Sequence, residues 1–308
     1  MTIAILTGGN VAERGVSLRS TQTVEKFLDK SKYNVYVIEL NGQQFQEQKT
    51  GEVLDMRDFS LVLDGQKITF DLVFLMLHGH PAENGSILGY FELVGIPCTG
   101  CDHLVSALTF NKQLTKDFLR PHSVPMVDSQ LLRKGQTVGV EAIEKMGFPL
   151  FVKPNKNGSS FGITKVNQAD EILPAVEKSF QFDDEVIVEQ FMEGQEFSNG
   201  VYRKGQEVIV LPITEIRTDN EFFDYKAKYE NESVEITPAE ISEALTEQCQ
   251  RLTKKIYELL NCKGVCRVDY ILMNGLFHFL EINTIPGMTE PSFIPQQVAA
   301  TVGVCLIF

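Results

Sequence analysis

Apolar residues along this chain gather into short, mainly apolar runs and into longer stretches with helical spacing. Residues 3–6, 35–40 and 72–77 are runs of strand length bounded by turn-forming residues. After the break at Thr7-Gly8-Gly9-Asn10, residues 17–28 place Leu18, Thr21, Val24, Phe27 and Leu28 on one face of a helix. Strand, helix, strand and strand in this order predict an α/β first domain ending near Pro97. The unbroken run at 72–77 predicts a strand covered on both faces. Gly8-Gly9 and His78-Gly79 fall at strand ends, where open α/β sheets bind ligands.

Beyond this, helical character is expected at 104–119. Strands are expected at 150–153, 163–166 and 186–189, with a helix at about 169–180, as in a small α+β domain. Longer strands follow at 196–203, 207–216, 267–273 and 276–283. A helix from Ala239 to Leu260 would bury Ile241, Leu245, Cys249, Leu252, Ile256 and Leu259, with Gly264 stopping it. The expected division is 1–98, 99–194 and 195–308. The apolar end at 304–308 has no polar cap and reads as a helix or strand cut short.

Polar residues interrupt two of these strands in a regular way. Arg267-Val268-Asp269 and Glu281-Ile282-Asn283 each set an apolar residue between two polar ones, so each polar pair shares a strand face. Three hard oxygen ligands suit Mg²⁺ held with phosphates, and a guanidinium suits developing negative charge. Buried salt bridges in a sheet would look the same. Eleven residues separate Asp269 from Glu281. If the two carboxylates face each other across a hairpin, a simple two-residue turn at Asn274-Gly275 would set them on opposite faces. A three-residue loop over Asn274-Gly275-Leu276, with Gly275 or a neighbour at positive φ, or else a bulge, is therefore expected.

Other segments carry weaker signals. Lys153 leads into the Gly/Ser loop 154–162, which could cradle phosphate or be a plain hairpin turn. Glu189 to Gly194 joins an acid, Phe191 and Met192, as in an adenine slot or an ordinary strand end. Residues 221–229 are aromatic and basic, fitting a lid or an exposed loop. Cys98 and Cys101 form a lone C-x-x-C, for which buried thiols are the default reading and His103 the only adjacent further ligand.

Composition narrows the classes. The 308 residues are 43% hydrophobic, enough for two or three domains. A net charge of −13 argues against nucleic-acid binding, though not against an anionic small substrate. There is no leader-like N-terminus and no apolar run of membrane-spanning length, so a reducing cytoplasmic location is the default.

Taken in order, these motifs carry a resemblance that covers nearly the whole chain. Gly8-Gly9 with Glu13-Arg14, Leu77-His78-Gly79, Thr99-Gly100, Asn111-Lys112, the 153–162 loop, Tyr225–Tyr229, Arg267–Asp269, Glu281–Asn283 and Pro286–Ser292 resemble the D-alanine–D-alanine ligases of the ATP-grasp superfamily. The resemblance implies an α/β (α+β) ATP-grasp fold: a Rossmann-like N-terminal domain, then two α+β domains clamping ATP, with a lid at about 214–235. It implies ATP, two Mg²⁺ ions with Mn²⁺ able to substitute, and two D-alanines joined through a D-alanyl phosphate. A homodimer without nucleic-acid or membrane partners is implied too.

Residue roles follow from the same likeness. Lys112, Lys153, Ser160 and Lys228 would contact phosphates. Glu189 and Glu196 would bind adenine and ribose, with Phe191 and Met192 lining the base pocket. Asp269, Glu281 and Asn283 would hold the metals. Arg267 and the Gly287 N–H would stabilise an oxyanion. Glu13 would pair with the first substrate's ammonium and join Ser159 and Tyr229 in a triad. His78 would lie near that substrate, with Ser292 and Phe293 at the second. The lid contains no His, which favours an amine acceptor over lactate. Three residue patterns depart from the family's usual sequence: Gly15 stands for an acid, His80-Pro81-Ala82-Glu83-Asn84-Gly85 replaces the usual Gly-Glu-Asp-Gly run, and Asn111 stands for Asp.

Overall fold

The computed structural model describes residues 1–9, 11–156, 162–218 and 233–302. The first part contains β1 (Thr2–Gly8), α1 (Val11–Phe27), β2 (Asn34–Asn41), β3 (Gln44–Glu47), β4 (Leu61–Leu63), β5 (Gln66–Ile68), β6 (Leu72–Leu75) and α2 (Ser86–Val94). Strand β1 runs parallel to β2 and β6 on its two sides, and β3 closes one edge antiparallel to β2. Residues 97–99 extend the other edge, bonding to Val73 from both sides of its peptide. The open α/β sheet is thus as expected. Helix α1 starts earlier than its apolar face suggests, because Val11 to Val16 carry little hydrophobic patterning. Strand β6 stops at Leu75, although Met76 and Leu77 stay buried.

Next come α3 (His103–Phe110), α4 (Lys112–Leu119), β7 (Ser129–Arg133), α5 (Val140–Glu144), β8 (Leu150–Pro154), β9 (Thr164–Val166), α6 (Ile172–Ser179) and β10 (Glu185–Gln190). The stretch 104–119 is two helices rather than one. Asn111 adopts an extended backbone, closes α3, and accepts the Leu114 N–H at 3.0 Å to cap α4. The four strands form an antiparallel sheet in the order β7-β10-β8-β9.

The last part holds β11 (Gln195–Lys204), β12 (Glu207–Thr218), β13 (Ser233–Ile236), α7 (Glu243–Leu259), β14 (Val265–Met273), β15 (Leu276–Asn283) and α8 (Phe293–Val302). These strands form an antiparallel sheet ordered β13-β12-β11-β14-β15. Helix α7 begins at Glu243, not Ala239, with Ser242 as its cap. Ala239 and Ile241 still pack on the core, which is why the apolar spacing overran the helix start. Its end is set by Asn261 at φ 54, ahead of Gly264.

The hairpin β14–β15 resolves the register question. Its turn has two residues, Asn274 (φ 53) and Gly275 (φ 77), the left-handed pair that a type I′ turn needs. The three-residue loop is therefore not formed. The bulge is: Tyr270 pairs with Phe279 but Asp269 pairs with Glu281, leaving Leu280 as the extra residue. Cys266, Val268, Tyr270, Phe277, Phe279 and Ile282 then enter one core, while Arg267, Asp269, Ile271, Leu280, Glu281 and Asn283 turn to the other side. Without the bulge, Glu281 would lie opposite Val268 and face that core.

Two large cores flank this arrangement. One joins the first sheet to Ile285, Met288, Ile294 and Val298 from the chain's last part. The other joins the C-terminal sheet and α7 to Cys101, Val105, Leu119 and Val124. A separate core fills the β7–β10 sheet.

Candidate active site

The polar face of β14 and β15 is tightly bonded. Asp269 is buried at 4% exposure. It accepts from Ser198 Oγ at 2.7 Å, from Arg267 Nη2 at 2.8 Å and from Asn283 Nδ2 at 3.0 Å. Glu281 lies opposite it in register, and Asn283 lies opposite Arg267. Lys112 Nζ, at the first residue of α4, stands 3.6 Å from Glu281. Arg267 also stacks over the Phe293 ring at 5.4 Å. Burial opposes the Arg267 charge, but Asp269 and Glu281 outweigh it and hold the guanidinium protonated. Two carboxylates and an amide oxygen on one face form a donor set of hard oxygens that fits Mg²⁺ or Mn²⁺.

One turn along α4 from Lys112, Lys116 belongs to a buried ion triad. Glu189 Oε2 accepts from Lys116 Nζ at 2.8 Å, and its other oxygen pairs with Lys153. Glu189 and Lys116 are each 2% exposed. Burial alone would raise the Glu189 carboxyl, but the two lysines outweigh it and hold it at about 2. Lys116 is lowered, because its burial exceeds the pull of Glu189. The triad keeps one net positive charge. Lys116 escaped the sequence reading. The signal available was its place four residues after Lys112, one turn along the same helical stretch.

Just beyond β10, Met192 packs with Val127 and Ile271, and Met273 and the bulge residue Leu280 lie against them. Phe191 meets Phe151 edge to face at 5.3 Å, and Lys165 Nζ lies 4.6 Å over its ring. Glu196, opposite Ile271 on β11, is half-buried. The apolar patch therefore adjoins the polar face of the same two strands.

A third cluster lies where the first sheet ends. Gly79 has φ +70, and a Cβ there would fall 1.8 Å from Glu13 Oε2, so only glycine admits that carboxylate. Burial and the adjacent Glu13 charge push Glu83 up to about 8. Sequence reading gave Glu83 no role, since only the turn 79–85 brings it beside Glu13. His78 is a brace here: Nδ1 donates to Ile285 O at 3.0 Å and Nε2 faces Ser20 Oγ at 3.2 Å. Ser20 Oγ in turn accepts the Met288 N–H at 3.2 Å. Burial pushes the imidazole down to about 4, so it is neutral at pH 7.

Gly287 and Ser292 belong to one turn. A Cβ on Gly287 would sit 3.0 Å from Ser292 Oγ, and that hydroxyl accepts from Thr289 N at 3.1 Å at the start of α8. Ser159, Ser160, Lys228, Tyr229 and most of the expected lid lie outside the described residues. The ends of the 214–235 range are the strands β12 and β13.

Models of the D-ala D-ala ligase N-terminus and C-terminus match residues 2–101 and 119–306. The chain belongs to the D-alanine–D-alanine ligase family. A D-alanine–D-alanine ligase of Phocaeicola vulgatus is 47% identical over 304 residues, covering 97% of this chain and 94% of the relative. One from Flavobacterium johnsoniae is 45% identical over 302 residues, with the same coverage. Among solved structures, the VanG D-Ala:D-Ser ligase of Enterococcus faecalis aligns with TM-score 0.86 at 30% identity, covering 98% of this chain and 95% of that one. The ATP complex of the Bacillus anthracis D-alanine–D-alanine ligase aligns with TM-score 0.80 at 29% identity, covering 98% and 92%. The fold is the ATP-grasp fold of these ligases.

Family membership gives the departures a context. Where these ligases usually carry Asp, Asn111 both accepts the Asn155 amide at 2.9 Å and donates to Glu185 at 3.3 Å. A carboxylate could not donate and would face the Glu185 charge. Asn84 pairs with His80 at 2.9 Å inside the altered 80–85 run. Gly15 lies on the exposed side of α1.

The triad yields the first prediction. Glu189→Gln leaves Lys116 and Lys153 buried face to face and should lower the unfolding free energy by about 3–5 kcal/mol, read by urea denaturation. Because the Glu189 carboxyl titrates lower in the folded chain than in the unfolded one, its contribution is complete above about pH 5 and is lost as pH falls toward 2. A parent–variant difference that stays the same from pH 7 down to pH 2 would contradict the assignment.

Proposed function

We propose that this chain condenses two D-alanines into D-alanyl-D-alanine with conversion of ATP to ADP and phosphate, through a D-alanyl phosphate, as a supplier of peptidoglycan precursor. The observation that carries this reading is the facing pair Asp269–Glu281 with Asn283 and Arg267, set beside Lys112 and the Lys116–Glu189–Lys153 triad. Phosphates between these two faces would meet lysines on one side and hard oxygen donors on the other.

In this reading Asp269, Glu281 and Asn283 hold two Mg²⁺ ions, with Mn²⁺ able to substitute. When bound, the ions neutralise phosphate oxygens and keep the transferring group in line. Lys112, Lys153, Ser160 and Lys228 position the phosphates. Phe191, Met192, Ile271 and Leu280 line the adenine slot, with Glu196 at the ribose. Glu189 acts through its lysines rather than on the base, since both its oxygens are engaged by them. Arg267 and the Gly287 N–H stabilise the oxyanion formed when the second amine attacks. Ser292 and Phe293 flank the second substrate. Ser159 and Tyr229 complete the triad with Glu13, and closure of the lid keeps water from the acyl phosphate.

Glu13 and Glu83 give the first D-alanine a place for its ammonium. His78 holds the wall behind them and takes no part in proton transfer. The enzyme is assigned to the cytoplasm, with a homodimer as its working form by likeness to the family. Among the described residues no helix is long and apolar enough to cross a membrane.

The test is an acceptor screen of the full chain with Mg-ATP. Phosphate release should require D-alanine, and D-alanine should outcompete D-serine and D-lactate at neutral pH. A preference for D-serine, as in the name of the VanG relative, would replace the acceptor assignment. Release without dipeptide would sink the ligase reading. A second expectation concerns Glu83. Since it titrates near 8 beside Glu13, binding of the substrate ammonium at pH 7 should expel its proton. Calorimetry in buffers of different ionisation enthalpy should show proton release for the parent and none for Glu83→Gln; equal release in both would remove Glu83 from the site.

A further inference from the structure

Three buried cysteines meet behind the strand that carries Arg267 and Asp269. Cys101 comes from the segment leaving the first sheet, Cys262 lies in the short loop between α7 and β14, and Cys266 is the second residue of β14. Cys262 and Cys266 are fully buried and Cys101 is 4% exposed. Their sulfurs all lie within 4.8 Å of one another, and Cys101 Sγ is 3.8 Å from Cys266 Sγ. Sulfurs sharing one ion with bonds of about 2.3 Å stand about 4 Å apart, whereas a disulfide needs about 2 Å. The spacing thus suits a shared ion and not a bond.

One backbone donor faces this cluster. Cys101 Sγ accepts the Lys263 N–H at 3.4 Å. Cys262 and Cys266 hydrogen-bond to Cys101, and those bonds and burial push both of their thiols up, so an ion must displace S–H protons to bind here. The loop is fixed from the other side, because Gly264 (φ +63) packs so closely that a Cβ would fall 2.6 Å from Gly100 Cα. A fourth protein ligand is not at hand among the described residues. His103 Nδ1 is held by Glu92 at 2.8 Å, and Asp102 caps α3 through the Val105 N–H at 3.0 Å and pairs with Lys263.

We propose that Cys101, Cys262 and Cys266 form a trigonal thiolate site for a soft, thiophilic metal cation, separate from the hard-oxygen site on the opposite face of β14. Binding replaces three S–H bonds by three metal–sulfur bonds, releases the protons to solvent and moves no electrons between centres. A divalent ion leaves the cluster with one net negative charge beside the Lys263 N–H. The bound ion ties the segment around Gly100 to the start of the strand bearing Arg267 and Asp269.

Cd²⁺ alone is the probe, added anaerobically to the reduced full chain in excess Mg²⁺. One equivalent should bind with a sulfur-to-metal charge-transfer band, release roughly three protons per ion and raise Tm. Cys262→Ser and Cys266→Ser should each weaken binding more than about tenfold, while Cys98→Ser, Cys249→Ser and Cys305→Ser leave it unchanged. Should those variants fold poorly, the parent protein still decides the matter. One equivalent of Cd²⁺ should shield Cys101, Cys262 and Cys266 together from alkylation, mapped by peptide mass, without shielding Cys98. Absence of the band, or shielding that falls on other cysteines, would overturn the site and leave the three thiols as core packing.

Discussion

The pairing of Asp269 with Glu281 across β14 and β15 depends on the extra residue at Leu280, and most of the site depends on that pairing. Strand side chains alternate strictly, so a regular hairpin from the Asn274-Gly275 turn would have sent Glu281 into a core of Val268, Tyr270 and Phe279. The bulge moves Glu281 and Asn283 to the outer face without disturbing Phe277 and Phe279 on the inner one. It also leaves Leu280 and Glu281 pointing the same way. An apolar patch and a carboxylate pair then adjoin on one surface, as binding a nucleotide base next to its phosphates requires.

Charge is distributed around this surface so that each buried ion has a partner. Asp269 is held by Arg267, Ser198 and Asn283, and Glu189 by Lys116 and Lys153. Lys112 and Lys116, one turn apart on α4, link the two clusters, since Lys112 reaches Glu281 and Lys116 reaches Glu189. At the far end burial and the neighbouring Glu13 carboxylate raise the Glu83 carboxyl. The brace of His78, Ser20, Ile285 and Met288 joins that end to the loop before α8. The first sheet and the last segment therefore share one core.

Much of this was legible in the residues. Apolar runs marked the inner strands of all three main sheets but not the edge strands β3, β7 and β13, and the interrupted runs at 267–269 and 281–283 marked the chemical face. Counting residues in the hairpin was enough to require an odd register, though not to choose the bulge over a longer turn. That choice rests on Asn274 and Gly275 both accepting positive φ. What the sequence hid was contact across long separations. Lys116 reads as a helix lysine until Glu189 lies against it, and Glu83 as a turn residue until Glu13 does. Cys101 reads as half of a C-x-x-C, yet its partners are Cys262 and Cys266, more than 160 residues on. Helix limits failed where local polar bonds outrank apolar spacing, at Asn111 and Ser242.

The central claim is that the bulge-set face of β14 and β15 holds the divalent ions that accompany ATP. Titration with Mn²⁺, followed by its electron paramagnetic resonance signal in the presence of a non-hydrolysable ATP analogue, tests it most directly. The account predicts two nucleotide-dependent Mn²⁺ ions per chain in the parent and loss of at least one in both Asp269→Asn and Glu281→Gln. Unchanged Mn²⁺ binding in both variants would contradict it.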